Sequence, residues 1–159
     1  MQIALTGDVM LGRMVDQTVI RPAVVPPEAV WGDVLPILLA ADLRVINLEC
    51  VISARGQEWR PQSKAFHFRA HPRAIEFLKA ARIDCVTLAN NHVLDYGPDA
   101  LRHCLSQLDR GGIKHTGAGP TRAASAEPAF LSSVGNRVAV LSLTDNEPEW
   151  EATDGEPGI

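Results

Sequence analysis

The sequence predicts an α/β domain in which a largely parallel sheet is flanked by helices. Short runs of β-branched and aliphatic residues alternate with longer segments of helical periodicity, which is the pattern of βαβ units. Of the 159 residues, 46% are apolar, a value typical of globular chains. This length suits one domain and is short for two.

The strands are predicted from short apolar or alternating runs that end at turn residues. They cover residues 3–6, 43–48, 66–68, 84–89, 113–116 and 137–143. The run at 66–68 has the alternation of a short edge strand. We expect residues 117–120, which read GAGP, to form a turn.

Three helices are predicted between these strands. The first covers residues 31–41, although Pro36 is unfavourable inside it. The second covers residues 72–81 and begins at Pro72, because proline fits the first helical position. The third begins at residue 97, keeps leucines in helical spacing at 101, 105 and 108, and ends at the glycines 111–112.

Two segments are predicted to be irregular. Residues 53–63 are polar and carry Gly56 and Pro61, so we expect a loop. From Asp145 onward the chain is acidic, contains proline and glycine, and has no periodicity. We expect this last segment to be a loop that leads into more protein.

Charge and composition exclude several classes of function. The net charge is −4 and basic residues form no run, which argues against nucleic acid as a partner. No stretch has the ~18 consecutive apolar residues of a membrane span, and the N-terminus lacks the pattern of a signal peptide. Cys50, Cys85 and Cys104 have no CxxC spacing, so we expect buried, reduced thiols in a cytoplasmic protein.

Polar side chains follow four of the predicted strands. They are Asp8, Asn47 with Glu49, Asn90 with Asn91 and His92, and Asp145 with Asn146. The carboxyl ends of parallel strands form one edge of a sheet, where ligands bind in open α/β domains. Oxygen and nitrogen donors without thiolates suit a divalent Mn, Mg, Zn or Fe ion. The sequence therefore predicts a metal site at this edge.

Each of these residues also has a structural interpretation. Asp8 can cap a helix, Glu49 can be an exposed loop acid, and His92 can be a hydrogen-bonded core histidine. The asparagines at 90 and 91 tolerate left-handed turns. Asp95 is expected to organise the turn before the third helix rather than to contact metal. The joint occurrence at successive strand ends favours the functional interpretation.

The remaining histidines and one arginine complete the candidates. A structural or solvated role is expected for His67, His71, His103 and His115. Arg13 follows the turn that carries Asp8, and its guanidinium is placed to face an anion. We therefore treat Arg13 as a candidate residue for binding the substrate or another anion.

Four motifs together resemble one family. They are GDVMLGR near the N-terminus, NLE after the second strand, LANNHVLDYG, and TGAG. In this order and spacing they resemble the CapA or PGA-cap family, which is associated with poly-γ-glutamate capsule synthesis. That family belongs to the calcineurin-like metallophosphoesterase superfamily. The resemblance covers Met1 to about Asn146.

The resemblance implies a fold and a set of roles. The fold is a layered β-sandwich flanked by helices, of which residues 1–159 form a single, incomplete N-terminal part. Asp8, Glu49 and Asn91 match metal ligands, and His92 matches the catalytic histidine that stabilises the leaving group. The implied cofactor is a divalent Mn, Zn, Fe or Mg ion, and the implied substrate is an anionic polymer or a phosphoester.

Departures from the family pattern leave a second interpretation open. Met10 stands where a second ligand, a histidine, is usual, and the later histidine motifs have no counterpart. The chain is then either a fragment of a metal-dependent hydrolase or a non-catalytic accessory module that binds the polymer. In either case we expect exposed apolar surface where a C-terminal half or an oligomer partner would pack.

Overall fold

A computed structural model describes residues 1–59 and 64–159. Strands in this part of the chain are β1 (Ile3–Val9), β2 (Leu43–Leu48), β3 (Val51–Ile52), β4 (Arg69–Ala70), β5 (Cys85–Thr87), β6 (Lys114–Thr116), β7 (Ala129–Ser133) and β8 (Asn136–Val140). The α-helices are α1 (Arg13–Val15), α2 (Leu35–Ala40), α3 (Ala74–Ala80), α4 (Gly97–Gly111) and α5 (Arg122–Ser125). A π-helical turn covers Asp16–Ile20, and 3-10 helices cover Pro27–Val34 and Pro148–Trp150.

The centre of the fold is a four-stranded sheet in the order β1-β2-β5-β6, with every neighbouring pair parallel. The crossover from β5 to β6 runs through α4, and the crossover from β2 to β5 includes α3. The α/β prediction is therefore confirmed. Because all four strands run in one direction, their carboxyl ends lie at a single edge of the sheet.

Helices cover one face of this sheet and enclose the main core. The core joins Ile46 and Leu48 of β2 to Phe77 of α3 and to Leu101 and Leu108 of α4, and all five are at most 1% exposed. The leucine spacing predicted for α4 thus marks its buried face. All three cysteines are free and buried, as predicted.

A hairpin of β7 and β8 covers part of the opposite face. Ala129 and Leu131 of β7 pack with Leu43, Val45 and Cys85 of the parallel sheet. The strand predicted at 137–143 is present as β8, but it pairs antiparallel with β7, so the expectation that it ends at the edge of the parallel sheet is wrong. A tight turn with positive φ at Val134 and Gly135 joins the two strands, so each finds its partner nearby in sequence.

Two other predicted elements differ in the structure. The helix predicted at 31–41 is not continuous, because Gly32 has non-helical dihedrals (φ 50°, ψ −137°) inside the 3-10 segment. The α-helical part begins only at Leu35, with Pro36 in its first turn. The edge strand predicted at 66–68 is wrong. The paired residues are Arg69 and Ala70, which form a short parallel ladder with β3.

The predicted loops have different outcomes. Residues 53–59 contain no helix or strand, as expected, and residues 60–63 of that prediction lie outside the described residues. The segment from Asp145 is more ordered than predicted. Trp150 and Ala152 are buried, with 4% and 0% of their surface exposed. Gly158 and Gly119 form an antiparallel β-bridge in which each backbone N–H donates to the carbonyl of the other residue.

Apolar side chains remain exposed beside the hairpin. Ile3 and Leu5 of β1 stand in register with Leu43 and Val45, so they lie on the face that the hairpin covers elsewhere. Leu5 is nevertheless 74% exposed, and Leu143 beyond β8 is 78% exposed. Within the residues that the structure describes, no helix is long and apolar enough to cross a membrane.

Candidate functional site

Asp8 stands near the carboxyl end of β1, beside Asn47 of β2. The strand continues to Val9, so Asp8 lies within it. The sequence had suggested that Asp8 follows the strand. The pairing register shifts between Leu5 and Asp8, and Asp8 becomes the partner of Asn47. This irregularity matters because it sets which strand-end side chains face each other.

The Asn47 side chain joins two carboxylates. Its Nδ2 donates to Asp8 Oδ1 at 2.8 Å and to Glu49 Oε2 at 2.6 Å. Its Oδ1 accepts from Thr87 Oγ1 and from Asn90 Nδ2, which fixes the orientation of the amide. The positive end of one amide dipole therefore lies between two acids from adjacent strands.

Glu49 occupies the centre of the site. Its side chain is 13% exposed, and burial raises the pKa of this carboxyl above its usual value. The hydrogen bond from Asn47 opposes this increase in pKa, while the nearby Asp8 carboxylate adds to it. Glu49 Oε1 lies 3.8 Å from Nε2 of His92. The predicted candidates Asp8, Glu49 and His92 are thus brought together.

His92 is held by a buried acid and an aromatic ring. Its Nδ1 is 2.6 Å from Asp95 Oδ2, and because a carboxylate only accepts, Nδ1 carries the proton. Asp95 is 0% exposed and also accepts from the Phe68 backbone N–H at 2.6 Å. The Phe68 ring stacks on the imidazole with centroids 4.0 Å apart. Nε2 is therefore the nitrogen turned toward Glu49.

The two asparagines before His92 have different surroundings. Asn90 is 6% exposed; it donates to the Leu48 carbonyl and accepts from the His92 backbone N–H, so it anchors this loop to β2. Asn91 is half-buried, and its Nδ2 is 3.4 Å from His92 Nε2. Asn91 Nδ2 is thus within donating distance of the imidazole nitrogen that faces Glu49.

Arg13 lies on the aromatic side of the site. Its guanidinium carbon is 5.3 Å from the Phe66 ring centroid and 5.8 Å from that of Phe68, the ring that stacks on His92. Arg13 is exposed and has φ of 51°, a strained value for a residue with a Cβ. The arginine is therefore exposed to solvent and adjacent to the candidate site, within cation–π distance of two aromatic rings.

The fourth predicted strand end has a different origin. Asp145 follows the antiparallel hairpin, so the expectation that it ends a fourth strand of the parallel sheet is wrong. The other histidines make their contacts elsewhere. His71 accepts from the Arg73 backbone, His103 contacts Ser53, and His115 lies 3.2 Å from Asp109.

Sequence reasoning missed several residues that shape the site. Asp95 was expected only to organise a turn, yet it orients His92. Its position in a turn, three residues after the histidine, is the sequence feature that could have indicated this contact. Phe68 and Lys64 gave no such signal, because they reach the site from the segment before β4. Lys64 Nζ lies 3.0 Å from Asp95 Oδ1.

The donor set suits a hard cation only in part. Carboxylate and amide oxygens are the ligands that divalent oxygen-seeking metals prefer. Among residues 1–59 and 64–159, however, no group of three or more His, Cys, Asp or Glu side chains is arranged to hold a metal ion. The described residues therefore offer Asp8 and Glu49 with amide and imidazole neighbours rather than a closed ligand cage.

Residues 2–158 match the family profile described as bacterial capsule synthesis protein PGA_cap. A probable polyglutamine synthesis accessory protein of Mycobacterium tuberculosis (strain H37Rv) is 34% identical, over 99% of this chain and 50% of the relative. The PGA biosynthesis protein CapA of Bacillus subtilis (strain 168) is 23% identical, over 98% of this chain and 40% of the relative.

A further relative is the capsule biosynthesis protein CapA of Bacillus anthracis. It is 27% identical, over 90% of this chain and 34% of the relative. The chain therefore spans half or less of the length of these three relatives.

Proposed function

Because the chain belongs to the bacterial capsule synthesis protein family PGA_cap, we propose that it acts in poly-γ-glutamate capsule synthesis through a metal-dependent, hydrolase-type site. The observation that carries the proposal is the convergence of Asp8, Glu49 and His92 at one sheet edge. The names of the relatives, which refer to polyglutamine, PGA and capsule synthesis, support the biological setting.

The metal would be held by Asp8, Glu49 and Asn91. The amide NH₂ of Asn47 already places positive charge between the two carboxylates, which supports a cation at this position. When bound, a divalent ion supplies Lewis-acid polarisation of a substrate oxygen or a water of lowered pKa. Three protein ligands from one edge of the sheet would leave coordination positions on the ion for substrate or water.

His92 would act on the substrate through Nε2. Asp95 holds the proton on Nδ1 and Phe68 restricts rotation of the ring, so Nε2 keeps one direction. In the protonated form, Nε2 can donate to a leaving oxygen or nitrogen, which is general-acid chemistry. A cavity of about 250 Å³ lies beside His92 and is also lined by Trp59 and Phe66.

Arg13 would bind an anionic group of the substrate. A guanidinium beside aromatic rings can still donate its N–H groups to a carboxylate or phosphate. The side chain is exposed and lies next to the ring that supports His92. A polymer of glutamate would present one carboxylate per unit to this arginine.

A second function is favoured by one specific observation. The described residues contain no closed ligand group of three acids or histidines, and the relative from M. tuberculosis is named as an accessory protein. The chain would then bind poly-γ-glutamate or a partner without turnover. In that case Arg13 would matter for binding, whereas Asp8 would not.

The test is titration of the metal-stripped protein with Mn²⁺ and Zn²⁺ by calorimetry. We expect micromolar or tighter binding that weakens at least about tenfold in Asp8→Ala, whereas Asp33→Ala, an exposed acid, leaves it unchanged. Hydrolysis of phosphoesters and poly-γ-glutamate is then measured with His92→Ala. Polymer binding that is lost in Arg13→Ala, in a protein that binds no metal, would establish the accessory function instead.

A further inference from the structure

Lys64 is a buried cation beside the candidate site. Its side chain is only 8% exposed. The ammonium contacts the backbone carbonyl of Asn91, lies 3.0 Å from Asp95 Oδ1 and lies 3.1 Å from Glu147 Oε1. The ammonium thus donates hydrogen bonds to the Asn91 carbonyl and to Glu147 Oε1, whereas its contact with Asp95 Oδ1 is an ion pair without hydrogen-bond geometry.

The surroundings of Lys64 extend to the segment after the hairpin. Its Nζ lies 4.2 Å from the centroid of the Trp150 ring, which is itself 4% exposed. A buried charge is tolerated only when it is paired and hydrogen-bonded. Lys64 therefore depends on the segment that carries Glu147 and Trp150 being docked.

Lys64 also determines how Asp95 can act. Asp95 Oδ2 already accepts from the Phe68 N–H and from His92 Nδ1, while Oδ1 makes the ion pair with Lys64. Without the ammonium, Oδ1 would be a fully buried charged oxygen with no cationic partner, and the carboxylate would turn from its present orientation. The hydrogen bond that directs His92 would change with it.

We propose that Lys64 is a positioning residue. Its contacts hold Asn91 and the His92–Asp95 pair in place against the segment that carries Glu147 and Trp150. This inference rests on the proposed function, because it concerns how the side chains of that same site are held. Lys64 acts on the Asn91 backbone and on the Asp95 carboxylate at once. Direct binding of an anionic substrate by Lys64 is disfavoured, because its side chain is buried and its charge is already paired with Asp95 and Glu147.

The experiment compares Lys64→Met with Lys64→Arg, and uses Lys79→Met as the control for an exposed lysine. Histidine-ring ¹⁵N–¹H spectra of the metal-free proteins are recorded at one pH, about two units above the ordinary histidine pKa of ~6.5. We expect His92 of the wild type to be the Nδ1–H tautomer. In Lys64→Met we expect a mixture of tautomers, with partial restoration in Lys64→Arg.

The second measurement is Mn²⁺ affinity of the same proteins. We expect Lys64→Met to weaken it by about tenfold or more, as loss of a residue that supports ligands usually does, and Lys79→Met to have no effect. A Lys64→Met protein with the wild-type tautomer and affinity would overturn the proposal. If the wild type binds no Mn²⁺, the proposed function fails, and the tautomer comparison alone decides the role of Lys64.

Glu147→Gln keeps the test decisive if Lys64→Met does not fold. The Glu147 side chain is 24% exposed, so its replacement is milder. We expect a smaller change of the His92 tautomer in the same direction. An unchanged tautomer in a folded Glu147→Gln protein would contradict the link between that segment and the site.

Discussion

At the scale of single residues, His103 shows how its contacts determine the protonation of a half-buried ring. Its Nδ1 accepts from the Ala54 backbone N–H at 3.2 Å, so the proton of the neutral ring is on Nε2. Burial lowers the pKa of His103 below the ordinary value, and the charges of Arg55 and Arg110 lower it further. The folded protein therefore favours the neutral imidazole.

The lowered pKa predicts a pH dependence of stability. Below about pH 6.5 the unfolded chain binds a proton at this histidine before the folded chain does, so the contribution of His103 is lost as the pH falls. We expect the wild type to lose more stability than His103→Gln between pH 7.5 and pH 5.5, as measured by urea denaturation. Equal losses in both proteins would contradict this assignment.

At the scale of secondary-structure elements, Arg44 joins a helix end to two strands. Its side chain is 9% exposed and donates to the carbonyls of Leu38, Leu39 and Ala41 at the end of α2. It also pairs with Asp84, just before β5, at 3.0 Å. The guanidinium thus supplies donors to carbonyls at the end of the helix, one of which, that of Leu38, also accepts from the Ala41 backbone N–H.

Replacement of Arg44 is expected to be costly. Arg44→Met removes the guanidinium donors from these carbonyls and the cation from beside Asp84, whose carboxylate keeps the hydrogen bond from the backbone N–H of residue 44. This loss should lower the free energy of unfolding by about 2–4 kcal/mol. Arg44→Lys keeps the charge but cannot reach several acceptors, so an intermediate loss is expected. Urea denaturation measures all three proteins. A loss below about 0.5 kcal/mol in Arg44→Met would show that water replaces these contacts.

At the scale of the whole molecule, the sheet is covered unevenly. Helices bury one face, whereas the hairpin covers β2 and β5 and leaves Leu5 of β1 exposed on the other. Leu141 and Leu143, which follow β8, are 55% and 78% exposed. Apolar side chains left exposed beside a core are favourable contact points for another copy or another segment.

This surface predicts that the isolated chain self-associates. Leu5→Lys combined with Leu143→Ser should lower the mean mass seen by light scattering after gel filtration at high protein concentration. Ile37→Lys is the matched control, because Ile37 is also exposed (68%) but lies on α2. A wild-type chain that is monomeric at all concentrations would contradict the prediction, as would an equal effect of the control.

The sequence predicted that the strand-end side chains would lie close together, and it could do so because the signal was local. Asp8, Glu49 and His92 each follow or end a recognisable strand, and parallel strands bring their carboxyl ends together whatever the details of packing. Asp145 failed the same reasoning because β8 pairs within a hairpin. A strand's sequence does not state which neighbour it will pair with.

What the sequence by itself determined is the alternation of strands and helices, the buried face of α4 and the chemistry of the strand ends, since each depends on residues close together in the chain. Only the tertiary structure decided the contacts around them. Lys64 reaches Glu147 across 83 positions, and Asn47 reaches Asp8 across 39. Such contacts depend on how separate segments pack. A local sequence pattern therefore does not predict which distant residue a buried polar side chain contacts.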